Sequence, residues 1–249
     1  MVSKTNVIAA SKKYEKEIFL LTKVLKPETV FFDIGANLGM YLFWAEELGV
    51  KKAVGFEPLY HLHKRLKRIF PDYKVESLAL SDISEKRSFR IPVLNGKKYD
   101  TRATLSDLPD PVENANYKVV SVSSGTLTDY CRKNNIFPDI IKIDVEGHEA
   151  EVIRGGLEII KERKPVLLVE IEGRHHEGFG IDQVISLLTN ENFTCLHFNK
   201  DTFEVVEYCS ESELQDEVDF GKKNYINNFI FVSQRDSKLL RELLSTKMI

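Results

Sequence analysis

The chain of 249 residues is 43% hydrophobic and 29% charged, a globular balance that fits one large α/β domain or two small ones. Lys and Arg total 35 against 38 for Asp and Glu, and the formal charge of −3 lacks the basic excess of a protein built around a nucleic-acid backbone. No segment approaches the roughly 18 apolar residues of a membrane span, and the first residues lack the apolar core of a signal peptide.

Tyr14, Ile18, Leu21 and Leu25 recur at helical spacing among Lys and Glu, which predicts an amphipathic helix stopped by Pro27. Residues 1–27 are read as a helical extension and residues 28–249 as one domain. "TVFFDIG" is a nearly continuous apolar run ending in a glycine turn, the pattern of a buried parallel strand. "MYLFWAEELG" is a helix closed by Gly49, with Phe43 and Trp44 as core residues. "KAVGFEP" is the second strand. The helix over residues 59–70 has a solvated basic face, with Leu62, Leu66 and Ile69 as its buried stripe. "YKVESLALSD" is read as the third strand and "KRSFRIPVL" as a hairpin. Residues 95–116 show no period and carry Pro109 and Pro111, which marks a mobile loop or a substrate lid.

"YKVVSVSS" is an edge or accessory strand, residues 126–135 a helix and "DIIKIDVEG" another buried strand. "HEAEVIRGGLEIIKERK" is a helix with Val152, Ile153, Leu157 and Ile160 turned inward. "PVLLVEIEG" is a further strand, residues 181–192 a helix, "FTCLHFNK" and "NNFIFVSQ" two more strands. A last helix carries Leu239, Leu240, Leu243 and Leu244. Strands alternating with helices argue for a doubly wound sheet with helices on both faces. Cys131, Cys195 and Cys209 lie far apart without metal-ligand spacing, as expected of reduced thiols in a cytoplasmic protein.

In such sheets a ligand sits beyond the carboxyl ends of the strands, where the strand order reverses. The first turn reads Asp33-Ile34-Gly35-Ala36-Asn37-Leu38-Gly39. A dinucleotide fingerprint would place glycine where Asn37 stands, to let backbone approach a pyrophosphate. The side chain there crowds a pyrophosphate, and Asp33 suits a cationic amine better than a phosphate. S-adenosylmethionine has an amine, a ribose and no phosphate. Glu57, at the end of the second strand, can then accept from both ribose hydroxyls. Ser81 and Asp82, at the end of the predicted third strand, are placed to meet the adenine edge. The plainer reading makes Asp33 a helix cap and Glu57 a surface acid.

These residues resemble the FkbM-type S-adenosylmethionine-dependent methyltransferases. The resemblance rests on "FFDIGANLGMY", "GFEP", "LALSD", "TLTDYC", "DIIKIDVEGHEAEVIRGG" and "KPVLLVEIEG", in that order, over roughly residues 30–173. It implies a class I methyltransferase fold, Rossmann-like, with about seven strands and the last one antiparallel. It also implies O-methylation of hydroxyls on sugars, glycans or natural products. Carried over by motif, Asp33, Gly35, Ala36, Asn37, Gly39 and Glu57 hold the cofactor, while Asp144 and Glu146 border the transfer site.

A hydroxyl acceptor needs a base or a metal nearby. His148 is one candidate base, because an imidazole exchanges its proton near neutral pH; alternatively it only starts the next helix on its solvated side. Asp144 and Glu146 bind acceptor hydroxyls or a divalent cation, a choice that two carboxylates do not decide. Glu170 and Glu172 share a face of their strand and suit the hydroxyls of a sugar. His175 and His176 read as an exposed loop pair, with His175 an alternative base. Competing classes are methylation of a non-sugar natural product at oxygen or nitrogen, an NAD-dependent oxidoreductase, and a non-catalytic binding module. No Asn-Pro-Pro-Tyr signature of base-amine methylation is present.

Overall fold

The computed structural model describes residues 18–94, 97–105, 116–175, 180–199, 202, 204–209, 214–215 and 225–245. Helix α1 (Ile18–Val24) leads into strand β1 (Val30–Ile34), helix α2 (Met40–Glu47), β2 (Lys52–Phe56), α3 (Tyr60–Ile69) and β3 (Lys74–Glu76). After two short strands, β4 (Ala79–Leu80) and β6 (Lys97–Lys98), and two long ones, β5 (Lys86–Leu94) and β7 (Asn116–Gly125), the alternation resumes. It runs through α4 (Leu127–Asn134), β8 (Ile140–Ile143), α5 (Glu149–Arg163), β9 (Val166–Glu170), α6 (Gly180–Thr189) and β10 (Phe193–Phe198). It closes with β11 (Val205–Glu207), β12 (Asn228–Ser233) and α7 (Ser237–Leu244).

The main sheet has the order β11-β10-β12-β9-β8-β1-β2-β3. β3, β2, β1, β8 and β9 are mutually parallel, and β12 enters antiparallel between β9 and β10. Chain order reverses between β1 and β8, so their carboxyl ends open the crevice in which ligands of such sheets sit. The strand order and the antiparallel β12 are those of the class I methyltransferase fold expected above; β11 adds an eighth strand at the edge.

Both faces of this sheet are covered, which is why its strands read as unbroken apolar runs. One face packs Phe32, Ile34, Phe56, Ile141, Ile143 and Val169 against α4, α5 and α6. The other packs Phe31, Ala53, Ile140, Leu168 and Ile230 against α1, α2 and α7. Thr126 caps α4 by accepting from the Asp129 amide, and Asp236 caps α7 by accepting from the Leu239 amide.

Three sequence readings need correction. The third strand stops at Glu76, and Ala79–Leu80 instead pairs with β7 in a second sheet of order β4-β7-β5-β6. "KRSFRIPVL" is no hairpin by itself; it runs antiparallel to β7 over eight residue pairs, from Lys86↔Ser123 to Val93↔Asn116. Alternation within each strand could not reveal that partner across more than twenty intervening residues. Within the aperiodic stretch, residues 97–105 contain β6 and a 3₁₀ turn over Asp100–Arg102; residues 95–96 and 106–115 lie outside the described part. The predicted start of the first helix also lies outside it. Cys131 and Cys195 are buried free thiols and Cys209 an exposed one. No described helix is long and apolar enough to cross a membrane.

Candidate functional site

A solvent-open cleft lies beyond the ends of β1, β2 and β8. Its floor is the glycine turn. Gly35 has φ +84°, and a Cβ there would stand 1.8 Å from the Asp144 carbonyl oxygen. Only glycine lets the exits of β1 and β8 close together, and the Asp144 amide donates to the Ile34 carbonyl at 3.0 Å. The Gly35 and Ala36 amides both donate to the Phe56 carbonyl, tying the turn to β2. Gly39 serves packing instead: a Cβ there would meet Leu66 and Phe70 of α3 at 2.6 Å.

Glu57 is 4% exposed at the end of β2. Its Oε2 accepts from the Asn37 amide at 2.9 Å and its Oε1 from the Leu59 amide at 2.8 Å. Burial pushes its carboxyl up to about 7; the two amides oppose that shift and nearby Asp100 adds to it. Each oxygen keeps a lone pair for a ligand hydroxyl. Asn37 Oδ1 and Asp100 Oδ1, both on lining residues, are buried without a hydrogen-bond partner. Leu78, Ala79 and Leu80 add apolar lining, and Ala79 packs in one cluster with Phe89, Ala103 and Leu105, which belong to the second sheet and its extension. Among the described lining residues there is no Lys or Arg. Unpaired acceptors, a buried acid and an apolar lining fit a nucleoside with hydroxyl and amine donors, and they repel a pyrophosphate.

Gly35, Asn37 and Glu57 line this cleft; Asp33, Ala36, Gly39, Ser81 and Asp82 are not among its described lining residues. Asp33 is 2% exposed, in register with Lys142 of β8 and beneath the cleft. Ser81 is fully buried. Its hydroxyl donates to Asp82 at 3.0 Å and accepts from Arg87 at 3.1 Å. With its proton given to Asp82, it accepts from His148 Nε2 at 2.9 Å. Leu78, Ala79 and Leu80 line the cleft instead, because the third strand ends earlier than the sequence suggested.

His148 is 4% exposed, not solvated. Nε2 faces Ser81 and Nδ1 lies 3.5 Å from Glu151, and burial lowers its pKa, so it is a neutral, buried cleft wall. The turn before it is held from within. Buried Glu149 accepts from the Val145 and Gly147 amides at 3.3 and 3.0 Å. Glu146 takes a left-handed backbone at φ 55°, a strained conformation of the kind found at functional sites. His175 is half-buried rather than exposed: it packs on Gly147, and Nε2 lies 3.8 Å from Glu146. His176 lies outside the described residues.

Beside this turn, the ends of β8, β9 and β12 carry a polar network that sequence reasoning missed. Lys142 is 1% exposed and donates to Asn228 Oδ1 at 3.1 Å, with Glu170 at 3.7 Å and the Tyr41 ring face at 5.0 Å. Asn227 donates to Glu170 at 2.7 Å and to Glu172 at 3.1 Å. Burial, then Asp144, raises the Glu170 carboxyl well above the usual carboxylate range, and Lys142 opposes them. Gln215 joins the segments by accepting from the Gly173 amide and donating to the Ile171 and Ile226 carbonyls. A lysine inside "DIIKID" and an Asn pair before "FIFV" were the available signals. Among the described residues no group of three His, Cys, Asp or Glu is arranged to hold a metal ion.

The family model described as "Methyltransferase FkbM domain" matches residues 33–195. A 71-residue stretch is 35% identical to the AMB antimetabolite synthetase AmbE of Pseudomonas aeruginosa, covering 26% of this chain and 3% of that protein. Among solved structures, a methyltransferase FkbM from Methylobacillus flagellatus is 12% identical with a TM-score of 0.47, over 93% of this chain and 48% of its own. An S-adenosylmethionine-dependent O-methyltransferase from Thermotoga maritima is 9% identical with a TM-score of 0.46, over 93% and 71%. Aeropyrum pernix fibrillarin, with bound S-adenosyl-L-methionine, is 11% identical with a TM-score of 0.45, over 92% and 74%. The chain thus spans about half the length of the first of these structures and a small part of the synthetase.

Proposed function

The chain belongs to the FkbM methyltransferase family, whose cofactor is S-adenosylmethionine, and from that premise we propose an O-methyltransferase acting on a hydroxyl of a sugar, glycan or glycosylated metabolite. The observation that carries the acceptor class is the array of carboxylates at the ends of β8 and β9. Asp144, Glu146 and Glu172 crowd Glu170, which Asn227 and Lys142 hold, and they offer acceptors to a polyol. When bound, the cofactor supplies an activated methyl group, its carbon–sulfur bond breaking as the bond to the acceptor oxygen forms.

The chain's own residues bind, orient and take a proton. Glu57, Asn37 and the backbone around Gly35 hold the nucleoside half, and Asp33 acts from beneath. Asp144 and Glu146 border the transfer point. Glu172, steadied by Asn227, accepts from acceptor hydroxyls. His175, backed by Glu146, takes the reacting hydroxyl proton; His148, buried with Nε2 bonded to Ser81, leaves the base role to it. A second reading, a non-sugar natural product as acceptor, draws on the stretch shared with an antimetabolite synthetase. The protein acts as a soluble cytoplasmic enzyme without a nucleic-acid partner, in keeping with its charge of −3.

The test is calorimetric titration with S-adenosylhomocysteine and with NAD, followed by mass spectrometry of sugar acceptors incubated with S-adenosylmethionine. Saturable binding of the homocysteine compound alone and a gain of one methyl on a sugar oxygen are expected, with turnover lost in His175→Ala. Binding of NAD alone would reject the reading. Methylation confined to non-sugar acceptors would shift it to the second.

A further inference from the structure

Asp100 does not belong to the sheet that carries the glycine turn. It stands on the 3₁₀ turn after β6, in the extension of the second sheet, yet it lines the same cleft as Glu57. Its Oδ2 is 2.8 Å from Nε2 of His61 on α3, the helix that follows Glu57 in the chain. Its Oδ1 is buried without a hydrogen-bond partner, as is Oδ1 of Asn37, another residue lining the cleft. The turn does not need the side chain: the amides of Arg102 and Ala103 bond to backbone carbonyls of Tyr99 and Asp100.

A buried carboxylate oxygen without a donor costs free energy unless a ligand brings one. Asp100 also adds to the upward push on Glu57, so the two acids face one space and repel across it. A ligand placing hydroxyl or amine hydrogens between them relieves both. A pyrophosphate would add charge of the same sign. Leu78, Leu80, Ala103 and Leu105 give the same cleft an apolar lining that suits a flat ring.

We propose that Asp100 is a contact residue for the nucleoside half of the cofactor, accepting a ribose hydroxyl or adenine amine hydrogen, and that His61 is its positioning residue. This rests on the methyltransferase reading above. The second sheet thereby supplies part of the cofactor site, and a donor on α3 aims it. His61 acts only through Asp100, since its ring stands mostly outside the cleft, 58% exposed.

The experiment is calorimetric titration of the full chain with S-adenosylhomocysteine for wild type, Asp100→Ala, His61→Ala, His61→Gln and the double alanine variant. Asp100→Ala should weaken binding about tenfold or more, as loss of a charge-assisted hydrogen bond does. His61→Ala should weaken it about threefold, and His61→Gln, whose amide can donate to Asp100, should recover it. The double variant should bind no more weakly than Asp100→Ala alone. Melting temperatures without ligand should match wild type, because the turn is held by backbone. Asp100→Ala binding within about twofold of wild type would overturn the assignment and leave the family's cofactor reading standing. Wild-type protein that binds no S-adenosylhomocysteine would overturn both.

Discussion

Glu57 and Glu170 both stand at carboxyl ends of strands in the same sheet, and burial raises the carboxyl pKa of each. Their partners differ. Glu57 is held by backbone amides 20 and 2 residues away in the chain. Glu170 is held by side chains, Asn227 at a separation of 57 residues and Lys142 on the neighbouring strand. Backbone amides come with the turn and leave lone pairs directed at the cleft. Side-chain partners answer the charge inside the protein and make the acid part of the framework. The surroundings of Glu57 therefore leave acceptors open towards the cleft, while those of Glu170 keep a group of acids together beside it.

The difference can be broken most forcefully at Lys142. Lys142→Met removes the cation from a buried cluster and should cost about 3–5 kcal/mol in denaturant unfolding. S-adenosylhomocysteine affinity of the folded variant should stay near wild type. Adding Glu170→Gln should recover part of the loss; a loss well below 1 kcal/mol would show that the acids are balanced otherwise.

Glu57 gives the opposite pattern. Folding raises its pKa from 4.5 to about 7, so between those values the folded chain keeps a proton that the unfolded chain has lost. Its contribution to stability is full below pH 4.5, falls as pH rises, and is gone above about 7, a span of about 3 kcal/mol. Thermal melts from pH 4.5 to 8 should show that decline in wild type and a flatter profile in Glu57→Gln. Ligand hydroxyls favour the ionised form, so S-adenosylhomocysteine should bind more tightly as pH rises towards 7 and level off above it. Glu57→Gln should weaken binding about tenfold at pH 8 without loss of stability. Unchanged affinity would remove Glu57 from the ribose.

The smallest effect is expected at Gln215, whose amide joins the exit of β9 to the approach of β12. Gln215→Ala should cost about 1–2 kcal/mol in unfolding and spare S-adenosylhomocysteine binding, since its bonds to Gly173, Ile171 and Ile226 lie away from the residues lining the cleft. Weakened cofactor binding would mean that the two regions are coupled.

Legibility followed the same division. The run "VFFDIGANLG" announced a buried strand, a turn and a helix because each is decided by residues a few positions apart. Glu57 was legible because its place at the end of a strand follows from the preceding apolar run. Ser81 was misread because nothing local says that the chain leaves the main sheet after Glu76; pairing of β4 with β7 decides it. His148 looked solvated for the same reason, its partner Ser81 lying 67 residues away. Asp100 gave no signal at all, because an acid in an aperiodic stretch resembles any loop acid.

The sequence by itself determined the alternation of strands and helices, the phosphate-averse turn and the acids at the strand ends, since these depend on local backbone preference and burial period. The tertiary structure decided which acids line the cleft and which face a lysine. It also set a second sheet over the cleft and brought Asp100 and His61 together across 39 residues. Those choices depend on contacts between distant segments, where a side chain's meaning is set by the surface it meets rather than by its neighbours in the chain.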